Sequence, residues 1–409
     1  MSIEEPREAG LRVAILGAFP FPLPQGSQIY MADHARALGR AGVRATVLTY
    51  GRGEGRPPDD LESIASPRWL APTSMRSGPN AAKPFADAAL LRTYLQAASR
   101  QTFDYALAHN AEAAAIALMA RPRTRVPVIY VAHTILGEEL SSYASEHWKT
   151  GVDRIGRGLD RWLARRADAV LTLCEDACQI LAPHCQGPIA TIPPGHHIAP
   201  KPPAEMIARV CAQWDLTPDQ YILYSGNLDR YQGLDVLEEA ARRQPAGSPP
   251  IVIATHDAKR AALSQQNRSS ALKFIAIKPY EEMRALLHGA RCLVLSRSRR
   301  GGFPIKLLNY METGRPIVAS EGIAIGLRDG VSARLLSHPL QATELAKALV
   351  ELDRNAELRV KLGATAHEHL KDEHDWDRVT AQCLDFIRRI KPETGQRPTS
   401  RSGRASSRS

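Results

Sequence analysis

Residues 301–316 read GGFPIKLLNYMETGRP, and the apolar segment 317–320, IVAS, follows directly. The two glycines come after another apolar run, 292–296, and Pro304 presets the first turn of a helix. Leucine and methionine then recur every three or four residues until Gly314, which is typical of a helix that ends there. The stretch therefore predicts a strand, a glycine turn, a helix and a second strand, as in a parallel α/β sheet.

The start of this predicted helix, near Phe303, is a candidate site for phosphate. The first backbone N–H groups of a helix have no partner within it, and the helix dipole adds positive potential there. Four basic residues lie close by in the sequence: Arg297, Arg299, Arg300 and Lys306. Many α/β proteins use such a turn only to reverse the chain, so the rest of the sequence has to distinguish a nucleotide-diphosphate site from a simple turn.

Further apolar, β-rich runs occur on both sides of a proline-rich break at 193–203. They are separated by helix-like stretches, the first of which, 29–42, follows a loop at 24–28. The predicted strands are 12–17, 43–50, 127–131 and 169–173 before the break, and 221–226, 251–254, 274–277, 292–296 and 316–320 after it. We therefore expect an α/β protein with two doubly wound parallel sheets, joined by a proline hinge, and a ligand cleft between the carboxyl ends of their strands.

The formal net charge of +10 is partly a property of the last residues. Residues 391–409 carry five lysines and arginines against Glu393, with few apolar residues, which predicts a disordered basic tail. The remaining body is moderately basic, which suits an enzyme of anionic sugar nucleotides or a peripheral contact with an anionic membrane. It has neither the aromatic interleaving nor a module typical of nucleic-acid binding, so no nucleic-acid partner is expected.

The N-terminal segment is acidic and no apolar run reaches about 20 residues, so we expect neither a signal peptide nor a membrane span. The expected location is the cytoplasm, with the membrane periphery as the alternative. Six cysteines are scattered along the chain, and Cys174, Cys178 and Cys185 with His184 form the group to weigh as a zinc site. Their spacing lacks a second cysteine pair, which favours free thiols and no metal.

Several ordered motifs resemble those of the retaining glycosyltransferases of family 4, which have the GT-B fold. The resemblance covers about residues 11–390. It implies two Rossmann-like domains, an acceptor-binding domain at 1–200 and a nucleotide-sugar-binding domain at 201–371, with a helix at 372–390 that crosses back to the first. The motifs are Gly26–Ser27, 108–112 (AHNAE), 131–134 (VAHT), 167–170 (ADAV), 192–195 (IPPG), 225–234 (SGNLDRYQGL) and 301–314.

The resemblance also implies a reaction and a set of site residues. A sugar would pass, with retention and without a metal or other cofactor, from a nucleotide-diphosphate sugar to a glycan, a lipid-linked glycan or a small molecule. His133 would contact the donor sugar, although a histidine at a strand end is otherwise more readily a structural group. Gly26 and Ser27 would let the backbone approach the diphosphate and the acceptor. The acceptor side would hold His109, Asn110 and Glu112, and the donor side Gly226, Asn227, Arg230, Gln232, Arg299, Arg300, Gly301, Gly302, Phe303, Pro304, Lys306 and Asn309.

The sequence departs from the family at four positions that are usually charged. The family has an arginine and a lysine on the phosphates where this chain has Asn227 and Gln232, and two glutamates where it has Gly301 and Asn309. Loss of two cations costs several kcal/mol unless others replace them, because a charge-assisted hydrogen bond contributes about 1.5–3 kcal/mol. Asn309 can still bond a ribose hydroxyl. The expected replacements for the cations are Arg230, Arg299, Arg300 and Lys306.

Three interpretations follow. The first is an active glycosyltransferase with a rearranged donor site. The second is a non-catalytic relative that binds a sugar nucleotide or a partner, which the four neutral positions support. The third is a sugar-nucleotide epimerase or a phosphorylase on the same architecture, but the segment 301–310 favours the transferases over it.

Overall fold

The computed structural model describes residues 10–23, 25–53, 55–71, 83–141, 146–267, 271–298 and 300–390. Within these residues the chain forms two parallel sheets flanked by helices, so the predicted two-sheet α/β architecture is confirmed. None of the described helices is both long enough and apolar enough to cross a membrane. The predicted basic tail at 391–409 lies outside the described residues.

The first sheet has seven parallel strands. They are β1 (Arg12–Pro20), β2 (Arg44–Tyr50), β3 (Glu62–Ala65), β4 (Tyr105–His109), β5 (Val128–Ala132), β6 (Ala169–Thr172) and β7 (Ile189–Thr191). Their helices are α1 (Gly26–Arg40), α2 (Lys83–Arg100), α3 (Ala111–Thr124), α4 (Leu136–Ser141), α5 (Glu146–Arg166) and α6 (Glu175–Leu181). The spatial order is β3-β2-β1-β4-β5-β6-β7. Since the order reverses beside β1, a crevice opens between the carboxyl ends of β1 and β4.

The second sheet has six parallel strands in the order β10-β9-β8-β11-β12-β13, and its crevice lies between β8 and β11. The strands are β8 (Ile222–Ser225), β9 (Ile251–Thr255), β10 (Leu272–Ala276), β11 (Cys292–Leu295), β12 (Ile317–Ser320) and β13 (Arg334–Leu336). The helices after the first sheet are α7 (Ala204–Ala212), α8 (Leu234–Arg243), α9 (Ala258–Asn267), α10 (Tyr280–Gly289), α11 (Lys306–Glu312), α12 (Ala342–Arg354), α13 (Ala356–Glu373) and α14 (Trp376–Arg388).

The structure corrects the sequence prediction at the first helix. α1 begins at Gly26, not at Ile29, because Gln25 has extended backbone geometry and the Ile29 N–H already donates to the Gln25 carbonyl at 3.0 Å. Gly26 and Ser27 therefore form the first turn of a helix, where the sequence predicted a loop. The strands β3, β4, β7 and β13 were also missed.

The last helix, α14, lies against the first domain. The Trp376 ring at its start stacks on the rings of Tyr30 and His34 in α1, with centroids 6.0 Å away in both cases. At its other end the Tyr105 hydroxyl donates to the Ile390 carbonyl at 3.1 Å. A Cβ on Gly195 would lie 2.3 Å from the Trp376 ring, so this helix also covers the linker between the domains.

A buried ion pair holds the same linker to the second domain. Arg284 of α10 donates to Glu312 of α11 at 2.8 Å, and their exposed fractions are 5% and 6%. Arg284 also donates to the Ala199 and Pro200 carbonyls, and His196 lies 2.7 Å from the other Glu312 oxygen. Burial raises the pKa of Glu312, but the bonds from His196 and Arg284 outweigh it and hold this pKa below its ordinary value.

The change Trp376→Ala should lower the free energy of unfolding by about 3–5 kcal/mol, because it leaves a large cavity between α1, α14 and the linker. Trp69, which is 78% exposed, provides the matched control, and Trp69→Ala should change stability by less than about 0.5 kcal/mol. Urea unfolding followed by far-UV circular dichroism measures both variants. If Trp376→Ala lowers the free energy of unfolding no more than Trp69→Ala does, the Trp376 contact does not stabilise the fold.

Candidate active site

A cleft of about 450 Å³ lies between the carboxyl ends of the two sheets. The first domain lines it with the start of α1 and the ends of β4 and β5, and the second with the ends of β8 to β11 and the start of α11. The walls touch where the Ile135 N–H donates to the Gly301 carbonyl at 3.0 Å and Thr134 forms an antiparallel bridge with Gly302. A ligand in this cleft would therefore contact both domains.

On the first wall the structure brings together Gly26, Ser27, Asn110, Glu112 and His133. Asn110 has a positive φ of 77° and its side chain accepts from the Ala113 N–H at 3.2 Å, so it caps α3. Glu112 pairs with Lys83 at 2.7 Å, and Lys83 lines the cleft too. The acceptor-side group predicted from the sequence thus includes a lysine that the sequence did not single out.

His109 is the exception on this wall. The sequence predicted it on the acceptor side, but its side chain is fully buried and does not line the cleft. His109 ends β4 and lies behind His133, with its Nδ1 2.9 Å from the His133 Nε2. Burial lowers the pKa of His109 well below its ordinary value and that of His133 to about 3, and nearby histidine rings add to both shifts. Both rings are therefore neutral at physiological pH.

On the second wall Lys306 is the first residue of α11, and its Nζ lies beside Tyr224 of β8. It donates to the Tyr224 hydroxyl at 2.9 Å and to the Gln232 Oε1 at 3.1 Å, and it sits 4.2 Å from the centroid of the Tyr224 ring. Burial is the main reason why the pKa of Lys306 is lowered to about 7; the nearby charge of Arg297 acts in the same direction, and Asp229 opposes both.

The two neutral amides that replace the family's phosphate cations bond to each other. The Gln232 Nε2 donates to the Asn227 Oδ1 at 2.7 Å, and the Asn227 Nδ2 to the Tyr231 hydroxyl at 3.3 Å. Since the Gln232 Oε1 accepts from Lys306, the ammonium group lies at the end of this chain of amides. A cation is therefore present beside the position that Gln232 occupies, although it comes from another part of the sequence.

Arg297 is the second cation of this wall, and it lines the cleft with its guanidinium 5.9 Å from the Tyr231 ring centroid. Arg297 is one of the four basic residues that lie close in sequence to the predicted phosphate site. Arg300, which was placed there, points away, donates to the Glu321 carbonyl at 3.2 Å and does not line the cleft. Arg299 and the side chain of Arg230 lie outside what the structure describes.

The glycine turn before α11 differs from its prediction in one respect. The helix begins at Lys306, not near Phe303, because the Leu307 and Leu308 N–H groups bond to the Pro304 and Ile305 carbonyls as in a tight turn. Phe303 and Pro304 line the cleft, as does Gly226 at the end of β8.

Gly301 and Asn309 occupy the two positions where the family has glutamates, and their surroundings differ. Gly301 has a φ of 76°, which a side chain would strain, and Asn309 lines the cleft and accepts from the Tyr280 hydroxyl at 3.2 Å.

The ends of β9 and β10 supply a further part of the wall that the sequence analysis did not name. The residues at the strand ends are Thr255, His256, Ile277 and Lys278, and the following helix α10 adds Tyr280 and Met283. Positions at the ends of predicted strands could have identified the first four, because the carboxyl ends of parallel strands meet at one edge of the sheet. Among the described residues the six cysteines are free, and no group of three or more histidine, cysteine or carboxylate side chains is placed to hold a metal.

Sequence comparison matches residues 24–199 to the family described as Glycosyltransferase Family 4, and residues 219–355 to Glycosyl transferases group 1. A D-inositol 3-phosphate glycosyltransferase of Corynebacterium glutamicum is 23% identical, over 91% of this chain and 95% of the relative.

Two solved structures share the fold. Sucrose-phosphate synthase from Thermosynechococcus elongatus has a TM-score of 0.76 at 16% identity, over 93% of this chain and 99% of that one. Anabaena HepE in complex with UDP-glucose has a TM-score of 0.69 at 16% identity, over 92% and 99%.

The Lys306 ammonium should titrate near pH 7, charged below and neutral above, whereas a solvated lysine titrates near 10.4. Carbon and nitrogen NMR of the Lys306 side chain, assigned by the signal lost in Lys306→Met, measures this pKa. Arg297→Ala should raise it, since a nearby positive charge is removed, and Arg300→Ala, outside the cleft, should leave it unchanged. Titration of Lys306 near 10 would contradict the burial of its ammonium group.

Proposed function

The chain belongs to the glycosyltransferases of family 4 and group 1, and from this premise we propose that it transfers a sugar from a nucleotide-diphosphate sugar to an acceptor hydroxyl in the interdomain cleft. The observation that carries the proposal is the pair of cations, Lys306 and Arg297, which line one wall of the cleft opposite His133 and the start of α1. The cations of the second wall suit the diphosphate of a sugar nucleotide. The sugar would then lie between that diphosphate and the neutral His133 of the first wall.

The chemistry explains why two cations matter. Cleavage of the sugar–phosphate bond places negative charge on the leaving diphosphate, so preorganised cations stabilise the transition state more than the ground state. Lys306 and Arg297 supply that charge from the protein, and we therefore propose a reaction without a metal ion or other cofactor. We also propose that the configuration at the sugar carbon is retained, as the resemblance to the family implies.

The substrates to test first come from the relatives. HepE was solved with UDP-glucose, and the Corynebacterium relative is named for D-inositol 3-phosphate, so these are the first donor and acceptor of the panel. The acceptor would lie beside Lys83, Asn110 and Glu112 on the first wall. Glycans, lipid-linked glycans and small polyols complete the acceptor panel, with the sugar nucleotides of uridine, guanosine and adenosine as donors.

The function is tested by nucleotide release in the presence of each acceptor, with and without EDTA, and by NMR of the anomeric carbon of the product. Transfer with retention and without EDTA sensitivity is the expected result. Binding of sugar nucleotides without turnover on any acceptor would favour the non-catalytic interpretation. Conversion of the sugar nucleotide without an acceptor would favour an epimerase, and phosphate-dependent cleavage of a glycan a phosphorylase.

Arg297→Ala should weaken UDP-glucose binding about tenfold, which corresponds to one lost charge-assisted hydrogen bond of about 1.4 kcal/mol. Arg300→Ala is the matched control, since Arg300 lies near in sequence but bonds to the Glu321 carbonyl outside the cleft, and its affinity should stay within about twofold of the parent. Isothermal titration calorimetry measures both. If Arg297→Ala weakens the binding of uridine by the same factor as the binding of UDP-glucose, the lost contact is not with the phosphates.

For the membrane contact expected from the charge, we propose the outer face of α5 as the surface. Ile155, Leu159 and Trp162 recur at positions i, i+4 and i+7 and are 62%, 44% and 41% exposed. Arg154, Arg161 and Arg165, which are also exposed, fall beside this apolar stripe on the helix. The opposite face packs inward, where the buried Asp160 accepts from the Leu136 and Gly137 N–H groups. An apolar stripe flanked by arginines suits an anionic lipid surface.

The double change Ile155→Ser with Leu159→Ser should reduce binding to vesicles of equal parts phosphatidylcholine and phosphatidylglycerol at least tenfold, because each apolar side chain contributes about 1.5–3 kcal/mol when buried. Val360→Ser, at a position 70% exposed in the second domain, is the control and should bind like the parent. Vesicle flotation measures the bound fraction. Equal binding of the parent to pure phosphatidylcholine, or no binding at all, would remove the proposed surface.

A further inference from the structure

We propose that His109 is a positioning residue that fixes the ring orientation and tautomer of His133, so that His133 presents an Nδ1–H donor to the cleft. This inference rests on the proposed function in one respect: the proposed function makes His133 a contact of the sugar nucleotide. It concerns a buried residue that the transfer chemistry itself does not use.

The first observation is the contact between the two rings. The His109 Nδ1 and the His133 Nε2 are 2.9 Å apart, and the rings meet edge to face with centroids 5.0 Å apart. His109 has no exposed surface and His133 has 6%. Because burial keeps both imidazoles neutral, a single proton lies between the two nitrogens, and one ring donates while the other accepts.

The second observation decides which ring donates. The His109 Nε2 is buried and has no hydrogen-bond partner among the described residues. A buried N–H without an acceptor is rarer in proteins than an acceptor with an unused lone pair. The proton of His109 is therefore on Nδ1, from where it is donated to the His133 Nε2. The nitrogen that remains bare, Nε2, is enclosed among aromatic rings.

The consequence is a defined His133. Its Nε2 accepts, so its own proton is on Nδ1, since the bond made by one imidazole nitrogen sets the state of the other. Among the described residues Nδ1 of His133 has no hydrogen-bond partner, and His133 lines the cleft. A fixed N–H donor at this place suits a hydroxyl or phosphate oxygen of the sugar nucleotide.

A third observation shows how the pair is kept dry. Tyr30 of α1 lies 5.5 Å from His109 and 5.2 Å from His133, measured between ring centroids, and His34 lies 5.4 Å from His109. Trp376 stacks on Tyr30 and His34 from the other side. Water would compete for the His109 proton, and this enclosure excludes it.

The direct test is the tautomer of His133 in the full-length protein, read from two-bond proton–nitrogen NMR correlations and assigned by the signals lost in His133→Leu. The expected result for the parent is Nδ1–H. A parent with Nε2–H on His133 would overturn the proposal without any further variant. Because the spectrum requires neither donor nor turnover, it stands even if the proposed transfer reaction is absent.

Three variants separate positioning from packing. His109→Leu removes the hydrogen bond that fixes the ring, so His133 should change from the single Nδ1–H form to a mixture of ring orientations and tautomers. His109→Asn keeps an N–H near the place of Nδ1 and should keep the parent tautomer. His34→Leu is the matched control, because His34 is 1% exposed, belongs to the same ring cluster and makes no hydrogen bond to His133.

Kinetics on UDP-glucose supply the second readout. His109→Leu should lower kcat/KM about tenfold, the effect of one hydrogen bond, while His109→Asn recovers most of that loss. His34→Leu should retain the parent tautomer and a kcat/KM within about threefold of the parent. Equal losses for His109→Leu and His34→Leu, or no rescue by asparagine, would show that His109 only fills space.

Discussion

The buried ion pair between Arg284 and Glu312 is the constraint on which the geometry of the cleft depends. It joins α10, α11 and the linker, and α11 begins with Lys306 and ends with Glu312. Two charges withdrawn from water carry a large desolvation cost, which only mutual pairing and further hydrogen bonds offset. His196 and the Ala199 and Pro200 carbonyls supply those bonds. The helix that presents a cation to the cleft is thus fixed to the segment that connects the domains.

On the second wall of the cleft, a positive charge lies beside a position that is neutral in this sequence, but it comes from a residue elsewhere in the chain. Gln232 is neutral where the family has a lysine, yet the Lys306 ammonium lies 3.1 Å from its Oε1. The same amide then bonds Asn227, so both replaced positions belong to one network with a cation at its end. A comparison position by position counts two losses here. In three dimensions two basic side chains, Lys306 and Arg297, line the same cleft, and Lys306 bonds directly to Gln232.

Much of the fold could be predicted from the sequence, because fully buried parallel strands read as continuous apolar runs between glycine and proline breaks. β4 was missed because all five of its residues are buried and an alanine-rich helix follows at once, so no change of period marks the boundary. Most of the residues that strand ends and the resemblance predicted for the site do line the cleft. The orientations of Arg300, which bonds to Glu321, and of His109, which lies behind His133, depend on tertiary packing that no spacing encodes.

The return of α14 to the first domain has a consequence for synthesis. The bond between Tyr105 and Ile390 joins residues 285 positions apart, and Trp376 covers α1 from the far end of the chain. Long-range contacts of this kind form late, since the entropy of closing the loop must be overcome first. On the ribosome, the first sheet can assemble early, but its α1 face stays uncovered until the entire second domain has emerged. Until then the α1 face is an exposed apolar surface of the kind that promotes aggregation during folding.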